Sequence, residues 1–419
     1  MRGMMMILIS EAFLFGISGC SAQNTPAVSS SNDPGFTDSS VTGADMTELA
    51  NDNSAFAFDL YKALGDSDEN IFFSPYSVSA ALAMTYAGAR ENTKSEMTEV
   101  LKFTLPDNLL HPSFNLLDSS LSACADEDST FSLHIVNALW GQTGYTFLPE
   151  FLEILSANYG AGIRLLDFPS DPEQCRETIN DWVAEQTLSK IEDLIPPGIL
   201  SAATKLVLTN AIYFNAEWLF QFQESLTYRQ PFSLIDGEQI DVPMMNQTEH
   251  FEMARGDGYI AVELPYSNGR MSMLIILPEL NRFSEIEGSL DNDFIDEITG
   301  SLTNANLHLS MPRFENVSAF QLEDILAKMG MPSAFGPSAD FSGMDGTGSL
   351  YIASVIHKAF VSVDENGTEA AAATAVVMNR LGGVDPAVEF AVNHPFIYLI
   401  RDRDTGTILF MGRVMNPLE

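Results

Sequence analysis

Basic residues are scarce in this chain. Its 419 residues include 20 Lys and Arg against 57 Asp and Glu, for a formal charge of -37. Such a polyanion is repelled by phosphate backbones and sulfated chains, which sets it against nucleic acid and against a heparin-type activator. The acidity itself reads as a solubilising surface or saline surroundings. Cysteine is scarcer still, with Cys20, Cys124 and Cys175 only. There is no disulfide scaffold, and no CxxC or Cys/His spacing that would hold a metal. Cys124 and Cys175 read as thiols. Beyond the first twenty residues no stretch is long and apolar enough to span a bilayer. GxSxG, HExxH, Walker A and GxGxxG signatures are all missing. The six histidines, His111, His134, His250, His308, His357 and His394, stand singly, and no carboxylate pair is singled out. Neither a catalyst nor a cofactor or metal site can be argued from such a sequence.

What is present is apolar material. Hydrophobic residues make up 46% of the chain, 28 of them Phe, enough for a substantial core. After Arg2, "MMMILISEAFLFGISGC" is a short apolar segment ending in small residues before Cys20, the pattern of a targeting signal. "ISGC" resembles a lipobox, which implies a signal peptide over 1–19 and a lipid-modified Cys20; simple secretion is the alternative. The Ser-, Thr- and Asn-rich tract 20–45 reads as a flexible tether. Length alone suggests two or three domains, but from Met46 to residue 419 no linker or repeat interrupts the chain, so one domain is expected.

The first half reads as mainly helical. "DMTELANDNSAFAFDLYKALG" ends on Gly65, and "SPYSVSAALAMTYAGA" has Ser74 as N-cap and Pro75 in the first helical position. Helices are also predicted over "SEMTEVLKF", "PEFLEILSANYG" and "CRETINDWVAEQTLSKI", with a strand over "FSLHIVNALWGQ". The second half favours strands: "TKLVLTNAIYFNAEW", "YIAVELPYS", "MSMLIILP", "NLHLSMPRF", "VIHKAFVSVDE", "PFIYLIRD" and "TILFMGRV", the last two joined by a turn at "RDTGT". "SAFQLEDILAKMG" is predicted as an interposed helix capped by Gly330. Long strands with segregated helices make the fold class α+β.

One stretch fits none of these elements. "DENGTEAAAATAVVMNRLGG", Asp364 to Gly383, carries four consecutive alanines with no apolar helical face. It stands among several motifs that together resemble the serpin family of serine protease inhibitors. "NIFFSPYSVSAALAMTYAGARENTKSEM" resembles the family's second-helix signature, and "INDWVAEQTLSKIEDLI" and "TKLVLTNAIYFNAEWLFQF" the approach to its central sheet. "MPRF" resembles the strand before the hinge, "HKAFVSVDENGTEAAAATAVV" the hinge, and "NHPFIYLIRDRDTGTILFMGRVMNP" the C-terminal strands. The resemblance runs from about Met46 to Pro417.

It implies three β-sheets, eight or nine helices and an exposed reactive-centre loop, here 365–390. It also implies a suicide substrate rather than an enzyme. A serine protease, or in some members a cysteine protease, cleaves the loop and is trapped as an acyl-enzyme when the loop inserts into the central sheet. By position, Glu365, Gly367 and Thr368 match the proximal hinge, Arg313 the basic partner of the hinge Glu, and Trp218 an aromatic at the top of the sheet. Ser74, Ser77, Asn210 and His357 match a polar cluster beneath the strands that part. If Thr368 points into the sheet, period two sends Ala370, Ala372, Thr374, Val376 and Met378 the same way and Glu369 the other. That inward set is small first and uncharged. Family spacing puts the scissile bond at Leu381-Gly382, suiting chymotrypsin-like or elastase-like proteases; Arg380-Leu381, suiting a trypsin-like one, stays open. The partners expected are a protease, and a membrane only through the lipid anchor, for a monomer at the cell surface or outside it. A non-inhibitory member acting as a binding or chaperone-like protein is the competing reading. Sequons at Asn246, Asn316 and Asn366 read as incidental.

Overall fold

A computed structural model describes residues 41–65, 68–127, 130–368 and 386–419. The helices are α1 (Gly43–Leu64), α2 (Pro75–Tyr86), α3 (Glu91–Leu101), α4 (Asp107–Glu127), α5 (Pro149–Tyr159), α6 (Pro172–Gln186), α7 (Phe283–Gly288), α8 (Asn292–Ser301), α9 (Glu323–Met329) and α10 (Ser342–Asp345). The strands are β1 (Ile71–Phe73), β2 (Phe131–Gln142), β3 (Ile163–Leu166), β4 (Leu206–Glu217), β5 (Tyr228–Ser233), β6 (Gln239–Gly256), β7 (Tyr259–Pro265), β8 (Met271–Pro278), β9 (Thr303–Pro312), β10 (Phe314–Gln321), β11 (Ser354–Val363), β12 (Gly367–Thr368), β13 (Val388–Ala391), β14 (Phe396–Asp402) and β15 (Ile408–Val414).

Local chemistry explains most boundaries. Thr42 and Asp45 form a reciprocal capping box, so α1 starts at Gly43 and takes in the last three residues of the expected tether. Ser74 caps α2 by accepting from the Ser77 amide at 3.2 Å, and Pro75 follows at the first position. Every residue of α2 is buried, which its Ala and Ser make possible by keeping the helix thin. Two expectations need correction. Ser318–Gln321 are not helical: they pair with β11 in continuous register, Ser318 with Ala359 through Gln321 with Ile356. Burial alternates along β10, Phe314, Asn316 and Ser318 inward and Glu315 and Val317 outward, and α9 starts only at Glu323. The helix α4, for which no element is expected from sequence, runs through Pro112 with its stripe of Leu110, Phe114, Leu117, Leu121 and Cys124 buried.

The strands form two hydrogen-bonded networks. A six-stranded sheet has the order β10-β11-β12-β4-β2-β3, and a nine-stranded one runs β1-β15-β14-β8-β7-β6-β9-β13 with β5 on β6. The second network unites two of the three implied sheets through the long β6, which pairs with β5 and β9 early and with β7 at its end. Among the described residues ten α-helices surround them. The networks pack face to face through aromatics: Phe214 on β4 lies 5.6 Å from Phe410 on β15, which stacks on Phe72 at 5.1 Å. The opposite face of the six-stranded sheet, with Trp140, Val207, Ala211 and Ile356, is covered by Ile179 and Val183 of α6 and by Ile191, Leu194 and Ile195 beyond it. The central strand β4 is therefore buried on both sides, while the edge strands β10 and β3 keep an exposed face.

Candidate functional site

The six-stranded sheet contains a seam. Its neighbours β4 and β11 are parallel and directly paired only from Ser354-Val207 to Ala359-Ile212. Further up they part, and β12 lies between them, antiparallel to both, with Thr368 opposite Val363 on one side and Ala216 on the other. Gly367 lies against Glu217, where a Cβ would come within 2.0 Å of the Ala216 carbonyl oxygen, so only glycine fits.

The residues around this entrance are tied to one another. The Asp364 carboxylate accepts from the amides of Asn366 (2.8 Å) and Gly367 (3.2 Å), closing the turn that leads into β12. Trp218 donates its indole N–H to the Asp364 carbonyl at 2.9 Å and its amide to the Asn366 carbonyl at 2.8 Å. The Phe222 amide holds the Glu365 carbonyl at 2.9 Å. The Glu365 side chain is 2% exposed; its Oε1 accepts from Arg313 Nε at 2.7 Å, from Arg313 Nη2 and from the Thr227 hydroxyl. Arg313 is 41% exposed, so the pair is half screened, yet losing Arg313 would strand a buried carboxylate. Burial, the larger influence, pushes the Asp364 carboxyl up despite the amides that stabilise its charge. The Thr368 side chain is buried, its hydroxyl 2.8 Å from that of Tyr266, whose ring stacks on Trp218 at 4.7 Å. Glu365, Gly367, Thr368, Arg313 and Trp218 thus meet at one place.

A second group lies where the seam is still closed. Asn137, Asn210 and His357 sit side by side on β2, β4 and β11, on the face that otherwise carries Leu139, Leu208, Ile212 and Ala359. The start of α2 covers them. The Ser74 amide donates to His357 Nε2 at 3.1 Å, so that nitrogen carries no proton, and Nδ1–H donates to the Asn210 carbonyl oxygen. Asn210 Nδ2 reaches both Ser77 Oγ and Asn137 Oδ1, and Ser74 Oγ donates to the Leu409 carbonyl at 2.6 Å. The network satisfies a neutral imidazole, and burial drives the His357 pKa down to about 3. Ser74, Ser77, Asn210 and His357 are therefore in contact. Asn137 joins them and was not singled out from sequence, although a polar residue on an otherwise apolar strand face is a readable sign. Thr227 and Tyr266 carried no such sign. Ala370, Ala372, Thr374, Arg380, Leu381, Gly382 and Cys20 lie outside the described residues.

Comparison with known proteins agrees with this geometry. A family model described as "Serpin (serine protease inhibitor)" matches residues 51–417. The chain belongs to the serpin family. This serpin is 40% identical to a serpin-like protein of Thermococcus kodakarensis over 429 aligned residues, 99% of each chain. It is 39% identical to the leukocyte elastase inhibitor of Sus scrofa over 89% of its own length and all of the relative's. The structure of uncleaved ovalbumin superposes with a TM-score of 0.81 at 29% identity, covering 88% of this serpin and all of that chain. The fold is the serpin fold, and the family is one of protease inhibitors rather than enzymes.

The sequons have structural roles of a different kind. Asn246 and Asn316 are buried, and the Asn246 amide donates to the Leu226 and Met244 carbonyls at 2.9 Å each. Cys124 and Cys175 are buried thiols.

Proposed function

We propose that this serpin is a suicide-substrate inhibitor of serine proteases. The observation that supports it most is the seated hinge: Gly367 and Thr368 already lie between β4 and β11 as the first two residues of a strand. The register has a useful property. The offset between β4 and β11 across Thr368 (Val363, Ala216) is the same as in their direct pairing lower down (Ala359, Ile212). A strand continuing from Thr368 therefore enters with no slip of either neighbour. Ala370 would face Phe214 and Val361, Ala372 would face Ile212 and Ala359, Thr374 would face Asn210 and His357, and Val376 would face Leu208 and Val355.

Thr368 is buried with Val363 and Ala216, so on insertion those four residues would share the core face. The small residues would enter first, and the one polar member would arrive at the polar cluster. Glu369 would fall on the other face, opposite Asn215 and Ser362. Roughly ten new backbone hydrogen bonds at about 1 kcal/mol each give a driving force of order 10 kcal/mol, comparable to the stability of a domain.

In the reaction the protease's serine Oγ attacks the Leu381 carbonyl. The Leu381-Gly382 bond breaks, the hydroxyl proton passes to the Gly382 amine, and Leu381 remains as an ester on the protease. Insertion then carries that ester away from the loop's original position before water reaches it. A cut at Arg380-Leu381 would make the target trypsin-like instead of chymotrypsin-like or elastase-like. Cys20, the last residue of "ISGC", would bear the lipid that holds a monomeric inhibitor at the cell surface.

Incubation with chymotrypsin, elastase and trypsin tests this reading. An SDS-stable band is expected at the summed mass less the released fragment, which starts at Gly382. In the same spectra the intact mass of membrane-extracted protein reads whether Cys20 is acylated. Cleavage without a covalent band across a broad protease panel would overturn the inhibitor reading.

A further inference from the structure

We propose that Tyr266 is the positioning residue that seats the hinge before any cleavage, a role that rests on the inhibitory reading above. Three observations carry it. The Thr368 hydroxyl is buried among apolar neighbours, and its bond to Tyr266 Oη, at 2.8 Å, links two side chains that are 1% and 0% exposed. The Tyr266 ring cannot turn away, because it stacks on Trp218 with an 8° interplanar angle and the two backbones form a β-bridge. Trp218 is in turn held to the hinge through its indole N–H on the Asp364 carbonyl. The phenol oxygen is thus a fixed point, set by the nine-stranded network, to which the first residue of the incoming strand attaches.

The seat is asymmetric. If the hinge withdraws, Thr368 finds water, but Tyr266 stays in the core with its hydroxyl unpartnered. This favours the seated state. A seated hinge matters because a strand threading between two others must first bring its end into register, after which each further residue adds its bonds with little new ordering. With the end already held, extension starts as soon as the loop is cut, ahead of hydrolysis of the ester. Tyr266 therefore influences the partition between trapped complex and released, cleaved inhibitor, and not the rate of acylation.

Tyr266→Phe keeps the ring and removes only the hydroxyl; Thr368→Val removes the partner. Two readouts are needed. In the uncleaved protein, amide exchange over 364–368 should quicken about three- to tenfold in Y266F, the range expected for one net hydrogen bond. With a protease that is trapped, the ratio of cleaved to complexed inhibitor should rise by a similar factor at unchanged acylation rate. Both effects should vanish when Y266F is placed on the T368V background, since the pair acts as a unit, while Thr368→Ser should retain wild-type behaviour. Unchanged exchange in Y266F, or effects that add to those of T368V, would overturn the seat. Should no protease be trapped by the wild type, the inhibitory reading fails and the exchange experiment alone still decides whether Tyr266 holds the hinge.

Discussion

At the scale of single residues, buried polar side chains gather along the seam between β4 and β11. His357 shows the cost. Burial holds it neutral down to a pKa of about 3, against an ordinary 6.5 for the unfolded chain. Above 6.5 neither state binds the proton, so the group contributes nothing to the pH dependence of stability. Below it the unfolded chain takes up a proton that the folded one refuses, so stability falls as the pH drops from 6.5 toward 3. His111, buried beside Tyr159 and lowered to about 4, works in the same direction. Denaturation midpoints between pH 7.5 and 5, above the main range of carboxylate titration, should therefore decline. In His357→Gln that slope should flatten, leaving the shares of His111 and of His394, which burial also lowers; a slope identical to wild type would show His357 protonated in the folded state. The hinge residues and most of this cluster were legible as motif matches. Tyr266 and Thr227 were not, because their roles exist only through which distant strands become neighbours.

At the scale of elements, β12 is the informative piece. Two residues long, it fixes the register from which an inserting loop would continue. Position 372 would lie against Ile212 and Ala359 in the core, and position 371 on the opposite face against Tyr213 and Phe360. Ala372→Glu should then convert the inhibitor to a substrate, with cleavage retained and covalent complex lost at least tenfold, because an unpaired carboxylate would have to enter the core. Ala371→Glu, near the open end of the seam, should lose no more than about threefold. Equal effects at both positions on the ratio of complex to cleaved product would mean that the loop does not continue the β12 register. Elements were least legible where a local signal pointed the wrong way. The helix-like "SAFQ" turned out to be strand because Ser318–Gln321 complete a ladder with β11, and α4 has no expected element in the sequence.

At the scale of the whole molecule, the β4–β11 ladder is the part of the six-stranded sheet that the proposed insertion would remake. The direct β4–β11 pairing is parallel, covers six residue pairs and ends at Ala359-Ile212, four residues short of the Val363 and Ala216 that flank Thr368. An inserted strand would replace it with two antiparallel ladders, the stronger arrangement per residue. Cleavage of the loop in the absence of any trapped protease should thus raise the unfolding temperature by about 10–20 °C, the shift corresponding to a gain of order 10 kcal/mol in a chain of this size. A calorimetric shift below about 3 °C would mean that the cut loop stays outside the sheet.

The sequence by itself determined the class of fold, the family and the composition of the hinge, since period-two patterning, helix caps and the small-residue run are local and survive in one dimension. It also placed Ser74, Ser77, Asn210 and His357 in one group and paired Arg313 with Glu365. Only the tertiary structure decided that Thr368 is already inside the sheet, that Asn137 completes the polar cluster, and that Tyr266 meets the Thr368 hydroxyl. Those facts depend on contacts between residues up to about a hundred or more positions apart, fixed when the two networks pack through Phe72, Phe214 and Phe410. A local pattern can mark Asn137 as unusual on its strand, but it does not say which distant residues these side chains meet.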